Sequence, residues 1–225
     1  MKGKFRFSMP TGWNGNAGHL WYLLIVPAYL AGFFLVERLI PSGSAYWVSY
    51  LPIDDWIPFC EWFVIPYVLW YPFLAGIGVY TLLKEPEEFK KYMTFIGVSF
   101  MSALVIFVLF PTGQELRPAV MERDNVLTQL IQAIYAADTN TNVLPSLHAV
   151  GSIGVVCSVF HCKGLKRPLW RIGSVVLAVL ILAATVFTKQ HSILDTLVAI
   201  PYAVLVYGIV YHGLYRRKVH EETTI

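Results

Sequence analysis

Charge is what this sequence lacks first. Only 14% of its 225 residues are Asp, Glu, Lys or Arg, against roughly 25% in a soluble domain. With 56% hydrophobic residues and a mean hydropathy of +0.58, the chain has too few charges to cover an aqueous surface. That excludes an ordinary soluble protein and points to an integral membrane protein, with a length that one domain accommodates. Cysteine is scarce as well. Cys60, Cys157 and Cys162 include no pair with metal-ligand spacing, and two of the three fall inside apolar segments. They read as small hydrophobic fillers, and neither a disulfide nor a zinc site is expected. There is no internal repeat and no low-complexity stretch. The formal net charge of +3 is small and says less than where the charges sit; no nucleic-acid partner is expected. Lys2, Lys4 and Arg6 are followed by a polar stretch through Gly18 and then a full-length apolar span. No small-residue cleavage site follows a short apolar core, so a cleaved signal peptide is not expected.

What the chain has is long apolar runs. A membrane-spanning helix needs roughly 20 mostly apolar residues. Six segments qualify: His19 to Ile40, Trp62 to Leu83, Tyr92 to Phe110, Pro145 to Cys162, Ile172 to Thr188 and Gln190 to Tyr215. Pro66 and Pro72 should kink the second, and Pro201 lies in the sixth. The expected fold is all-α: one domain over 1–225 with six transmembrane helices and its catalytic core in 92–215. Lys and Arg in short loops set orientation. With the N-terminus in the cytoplasm, 13 of the 17 fall inside and only Arg38, Arg117, Arg123 and Lys189 fall outside. This asymmetry supports an even number of spans with both termini cytoplasmic.

The outer loops are then informative. The first, Pro41 to Cys60, carries Tyr46, Trp47, Tyr50 and Trp56 around Asp54-Asp55. Aromatic residues belong at the headgroup level, so this loop should lie along the interface. Asp54 and Asp55 could bind a metal; a solvated turn or a helix cap is the plainer reading. In the second outer loop, Val120, Leu127, Leu130, Ile131 and Ile134 fall on one face at helical spacing. A short helix over Val120 to Ala137, lying on the bilayer or over a site, is expected. Thr112 to Gln114 reads as a helix end, with Gly113 as terminator.

Of six histidines, only His148 and His191 reach the outer face, together with Arg117, Lys189 and Asp195. Ionisable residues at a membrane helix end that face the bundle are functional candidates. His191 and Asp195 are four apart, so on a helix they would share a face. The aspartate can then hold one ring nitrogen of His191 and leave the other free to attack. His148 lies in the first turn of its helix, with Pro145 suited to the first helical position. Ser146 and the N–H groups of that turn form a ready anion site. Arg117 and Lys189 can add positive charge, Arg by a two-pronged contact. Each element alone is bland: His-x-x-x-Asp is a weak pattern, and Pro-Ser at a helix start is usually only a cap. Their gathering on one face is what carries the reading.

Arg117-Pro118, then Pro145-Ser146-Leu147-His148, then His191 with Asp195 resembles the three signature blocks of the type 2 phosphatidic acid phosphatase superfamily, over more than half the chain. The resemblance implies a phosphohistidine mechanism with no metal and no cofactor. In it His191 attacks phosphorus, Asp195 orients His191 and His148 protonates the leaving oxygen. Arg117, Ser146 and Lys189, with the N–H groups near Leu147, would hold the phosphate oxygens. The sequence departs from the family pattern at Phe110, Leu147 and Thr185, where that pattern has Lys, Gly and Arg. Lys189, two before His191, is similar to the arrangement in sphingomyelin synthases. The expected activity is hydrolysis of a phosphomonoester or pyrophosphate lipid headgroup at the outer leaflet of a plasma membrane, read as a bacterial inner membrane. The partners are then the bilayer and a lipid phosphate. The rival is a phosphotransferase moving a phospho-headgroup to a lipid alcohol. A non-catalytic transporter would place its polar groups near the midplane in broken helices; here they gather at one end.

Overall fold

The computed structural model describes residues 17–40 and 45–215. The readings placed on Lys2, Lys4, Arg6, Arg216, Arg217 and Lys218 lie outside them. Seven α-helices follow in order: α1 (Ile25–Leu39), α2 (Val64–Lys84), α3 (Pro86–Leu109), α4 (Val126–Ala137), α5 (Leu147–His161), α6 (Pro168–Phe187) and α7 (Ile193–Tyr207). A 3-10 segment, Ala17–Leu24, leads into α1, and a π-helical segment, Gly208–Leu214, extends α7. Among the described residues, five helices are long and apolar enough to cross a membrane: Gly18–Leu39, Glu61–Lys84, Pro86–Leu109, Pro168–Phe187 and Ile193–Leu214. The remaining expected span, α5, has only 15 residues. At about 1.5 Å per residue it reaches roughly 22 Å, short of a hydrocarbon core of about 30 Å.

The shortness of α5 is tolerable because it is the central helix. It packs on α2, α3, α6 and α7 and presents little to lipid. Gly151 and Gly154 make this possible. A Cβ on Gly154 would stand 2.6 Å from Cε1 of Phe95, and one on Gly151 would stand 3.1 Å from Leu74 and 3.2 Å from Trp70. Small residues at such crossings let helices approach where the hydrophobic effect between them is absent. The rings of Phe89, Phe95 and Phe107 on α3 are fully enclosed. The first span, by contrast, is peripheral, with 11% of its apolar window buried against 50% for α3. It packs along α3 and leaves α2 almost untouched.

The loops sort to two ends. At one end, the α2–α3 corner accepts the α5–α6 turn: Glu85 receives the backbone N–H groups of Lys163 and Gly164, each at 2.8 Å. At the other end, Trp47–Val48 (β1) pairs in parallel with Thr112–Gly113 (β2), and Gly113 bridges to Thr141. Thr112–Gly113 is thus a strand, not the helix terminator expected. The glycine there gives room to Tyr46, whose ring carbons would stand 2.5 Å from a Cβ. The short helix expected over Val120 to Ala137 exists but starts at Val126, because Asn125 caps it through the N–H groups of Leu127 and Thr128. Val120 is 80% exposed and outside it.

Candidate active site

Two helix N-termini converge at the end built around β1 and β2. Ser146 caps α5, accepting from the Ala149 N–H at 3.4 Å. Ser192 caps α7, accepting from the Leu194 N–H at 3.1 Å, while the Asp195 carboxylate receives the Ser192 N–H at 3.0 Å. The Ser146 N–H donates to the Asp195 carbonyl at 3.3 Å, which ties the two helix starts together. Pro145 therefore precedes the cap rather than occupying the first helical position.

His191 Nδ1 lies 3.0 Å from Asp195 Oδ2. His191 itself lies just before the α7 cap, so the pair does not meet on a helix face. It meets because Asp195, in the reciprocal cap of α7, turns its carboxylate back over the preceding loop. The other oxygen, Oδ1, accepts from Ser49 Oγ. Ser49 is fully buried and held by its N–H on the Gly113 carbonyl at 2.7 Å. Three donors thus fix the carboxylate, which leaves the His191 ring with one constrained nitrogen and one open. The His148 ring faces it with centroids 5.7 Å apart, resting on Trp70 at 4.4 Å and Tyr67 at 4.7 Å. His148 Nε2 is buried without a hydrogen-bond partner among the described residues.

The expected phosphate ligands divide. Leu147 lines the cavity beside the two histidines, and the α5 start leaves the Leu147 and His148 N–H groups without a protein acceptor among the described residues. Ser146 is fully buried and serves as the cap. Lys189, expected on phosphate, has another task. Its ammonium donates to the carbonyls of Asp54 at 2.9 Å and Ile57 at 2.5 Å, and it is absent from the cavity wall. Burial lowers its pKa, with Asp54 and Asp55 opposing. Its backbone adopts φ 55°, in a tight loop where the N–H groups of Gln190 and His191 both donate to the Thr185 carbonyl. Asp54 is fully buried and joins this strut, accepting from Ser192 Oγ at 2.6 Å and the Ile193 N–H at 2.9 Å. It is a helix cap, and no three-residue metal-ligating group occurs among the described residues. The loop that follows α1 therefore folds down onto α7, while Trp56 stays 87% exposed.

Arg117 stacks on Tyr135 at 4.4 Å and donates to the carbonyls of Tyr135, Asp138 and Thr139 and to Gln190 Oε1, the last at 2.6 Å. Carbonyls at the end of α4 are a favourable seat for a cation. Burial lowers the Arg117 pKa, and Asp138 counters this. Only its Nε remains, buried and unpartnered, as does Nε2 of Gln190. Since Arg can only donate, the Gln190 amide cannot be flipped, and its NH2 points away from Arg117. Gln190 lines a cavity of about 680 Å3 that opens between α1 and α2. The cavity starts at His148, His191 and Asp138, passes Tyr29, Tyr67 and Trp70, and continues to Met93, Phe89 and Leu82. Its polar end is small and its walls are otherwise apolar.

Sequence reasoning misses Ser49, Gln190, Asp138 and Asn142, while Asp54, read as a turn or helix cap, does cap α7. Only Gln190 carried a signal, its adjacency to His191; the others reach the site through loop folding. No curated protein and no solved structure matches this chain. A family model described as PAP2 superfamily matches residues 56–209, a stretch that contains both histidines, Asp195, Arg117 and the whole of α5. With that match over most of its length and this geometry at two helix starts, the chain belongs to the type 2 phosphatidic acid phosphatase (PAP2) superfamily.

Proposed function

We propose that this multi-pass membrane protein hydrolyses the phosphomonoester or pyrophosphate headgroup of a lipid through a phosphohistidine. The observation that carries this reading is the His191–Asp195 pair facing His148 at the polar end of an apolar cavity open between two helices. A lipid chain would lie along the α1–α2 cleft with its phosphate at the histidines. The free nitrogen of His191 attacks phosphorus, and the bond from phosphorus to the leaving oxygen breaks. His148 gives that oxygen a proton. Water then attacks the phosphohistidine, the P–N bond breaks and His148 recovers a proton from the water. No metal is needed: the anion is held by the free N–H groups at the α5 start and by Gln190 Nε2, with the Arg117 guanidinium, which does not line the cavity, behind Gln190 as its anchor; such groups favour developing negative charge in a site shielded from water. Most of the described basic loops gather at the opposite end, and by the loop-charge rule this supports an outer-leaflet position for the histidines.

The purified chain in detergent should release inorganic phosphate from lipid phosphates and form an acid-labile phosphoenzyme. His191→Ala should abolish both. Normal turnover in that variant would exclude the mechanism. Product formed only when a lipid alcohol is added would instead establish transfer, a reading favoured by the unpartnered hydrogen-bond acceptors described next.

A further inference from the structure

Two amides at the site are locked in opposite senses. Gln190 gives its oxygen to Arg117 and keeps its NH2 free. Asn142 gives its NH2 to Glu37 Oε1 at 2.8 Å and keeps Oδ1 buried and unpartnered. A carboxylate cannot donate, so Asn142 cannot be flipped either. Both side chains are more than nine-tenths buried, at 4% and 9% exposure, and both line the cavity. Asp138 lines it as well, and its carboxylate has no hydrogen-bond partner among the described residues. Asn142 Oδ1 is a buried acceptor left open, and the half-buried Asp138 carboxylate faces the same cavity; leaving an acceptor unsatisfied is costly, so the pair beside a phosphate site asks for a ligand that donates to it. Phosphate oxygens cannot do so once ionised.

We propose that Asn142 Oδ1 and Asp138 form a headgroup subsite for an alcohol that carries further hydrogen-bond donors, either hydroxyls or a primary ammonium, joined to the phosphorus that Gln190 holds. Glu37 positions Asn142 and brings α1 into the subsite, so the same helix that borders the lipid cleft also sets the headgroup reader. This rests on the proposed reaction for its phosphate position but not for its measurement. In it the phosphate end is read by donors and the alcohol end by acceptors. A bare phosphomonoester would fill only the first, so the subsite belongs to the transfer reading of the site, in which the headgroup alcohol stays on phosphorus and the leaving oxygen is the lipid's.

The test is binding of short-chain phospholipids to full-length His191→Ala protein in detergent, where no turnover intervenes. Phosphatidylglycerol, phosphatidylinositol and phosphatidylethanolamine should each be compared with phosphatidic acid, which lacks the alcohol, and with phosphatidylcholine, whose cation has no N–H. At least one donor-bearing headgroup should bind tenfold or more tightly than both; the glycerol and inositol arms against the ethanolamine arm tell hydroxyl from ammonium. Asp138→Asn should reduce that ratio at least fivefold. Gln190→Glu, which keeps the contact to Arg117 but turns the free donor into an acceptor, should weaken every phosphate-bearing ligand. Equal binding of phosphatidic acid and the donor-bearing lipids would overturn the proposal, as would preference for choline or an unchanged ratio in Asp138→Asn. Failure of the unmutated protein to form a phosphohistidine would sink the reaction and leave this binding result standing.

Discussion

The residue that does most without touching the cavity is Ser49. Its hydroxyl and the Ser192 N–H occupy the Asp195 carboxylate so that one lobe is left for His191 Nδ1. A hydrogen bond to a charged group is worth about 1.5–3 kcal/mol, and each 1.36 kcal/mol is tenfold in rate. Ser49→Ala should therefore lower kcat by about ten- to a hundredfold with KM little changed, and Ser49→Thr, which keeps the hydroxyl, should restore most of the rate. Asp195→Asn should cost more, up to the roughly 10⁴-fold seen when a triad aspartate is neutralised; a loss under tenfold would mean His191 needs no orienting partner. Asp138 offers a stability test. Burial raises its carboxyl pKa, with His191 and Arg117 opposing. A carboxyl raised on folding contributes fully below its unfolded pKa of about 3.9 and loses that contribution as pH climbs through the raised value. Asp138→Asn should thus leave the thermal midpoint unchanged near pH 3.5 and raise it at pH 7.5. A lower midpoint at pH 7.5 would show that the charge is stabilised by something other than a ligand.

At the scale of elements, α5 and α1 divide the work. α5 is short, glycine-notched and central, and holds His148 in its first turn. α1 is peripheral, leans on α3 and is tied to the site end by Glu37, which accepts from Thr139 Oγ1 at 2.9 Å and from Asn142. The gap it leaves against α2 is the cavity mouth. Ala75 lines that gap on α2. Ala75→Trp should fill it and reduce turnover of a long-chain lipid phosphate relative to a short-chain one at least tenfold in a side-by-side detergent assay. An unchanged ratio would place the chain elsewhere. The hydrophobic pattern locates every span, since a span buries or faces lipid all round and needs no partner to be recognised, but it starts α3 six residues late, at Tyr92 rather than Pro86, because the charged first turn of that helix carries no apolar signal. It overextended α5: a count of apolar residues cannot tell a helix that meets lipid from one wrapped by its neighbours.

Over the whole molecule, polar groups that the chain scatters across roughly 150 positions between Ser49 and Asp195 collect at one end, and the described basic loops collect mostly at the other. The loop-charge rule supports the proposal that the histidine end is external, and thiol labelling tests it. In a cysteine-free background, Trp56→Cys should react with a membrane-impermeant thiol reagent added to intact cells, and Lys166→Cys only after permeabilisation. The reverse pattern would move the chemistry to the inner leaflet without altering it.

Composition alone settled that this chain lives in a bilayer, because 14% charge cannot clothe a soluble surface. Spacing and family resemblance together brought His148, His191 and Asp195 into view, because each lies at a helix start whose local signals are read within a few residues. Roles that depend on distant loops were decided only by the tertiary structure. Lys189 reads as a phosphate ligand beside His191 until the Pro52–Ile57 turn folds over it and supplies two carbonyls. Asn142 and Gln190 read as loop polars until Glu37 and Arg117 pin one end of each amide. A side chain's chemistry is local, but which of its atoms is left free depends on every neighbour that packing brings within hydrogen-bond reach.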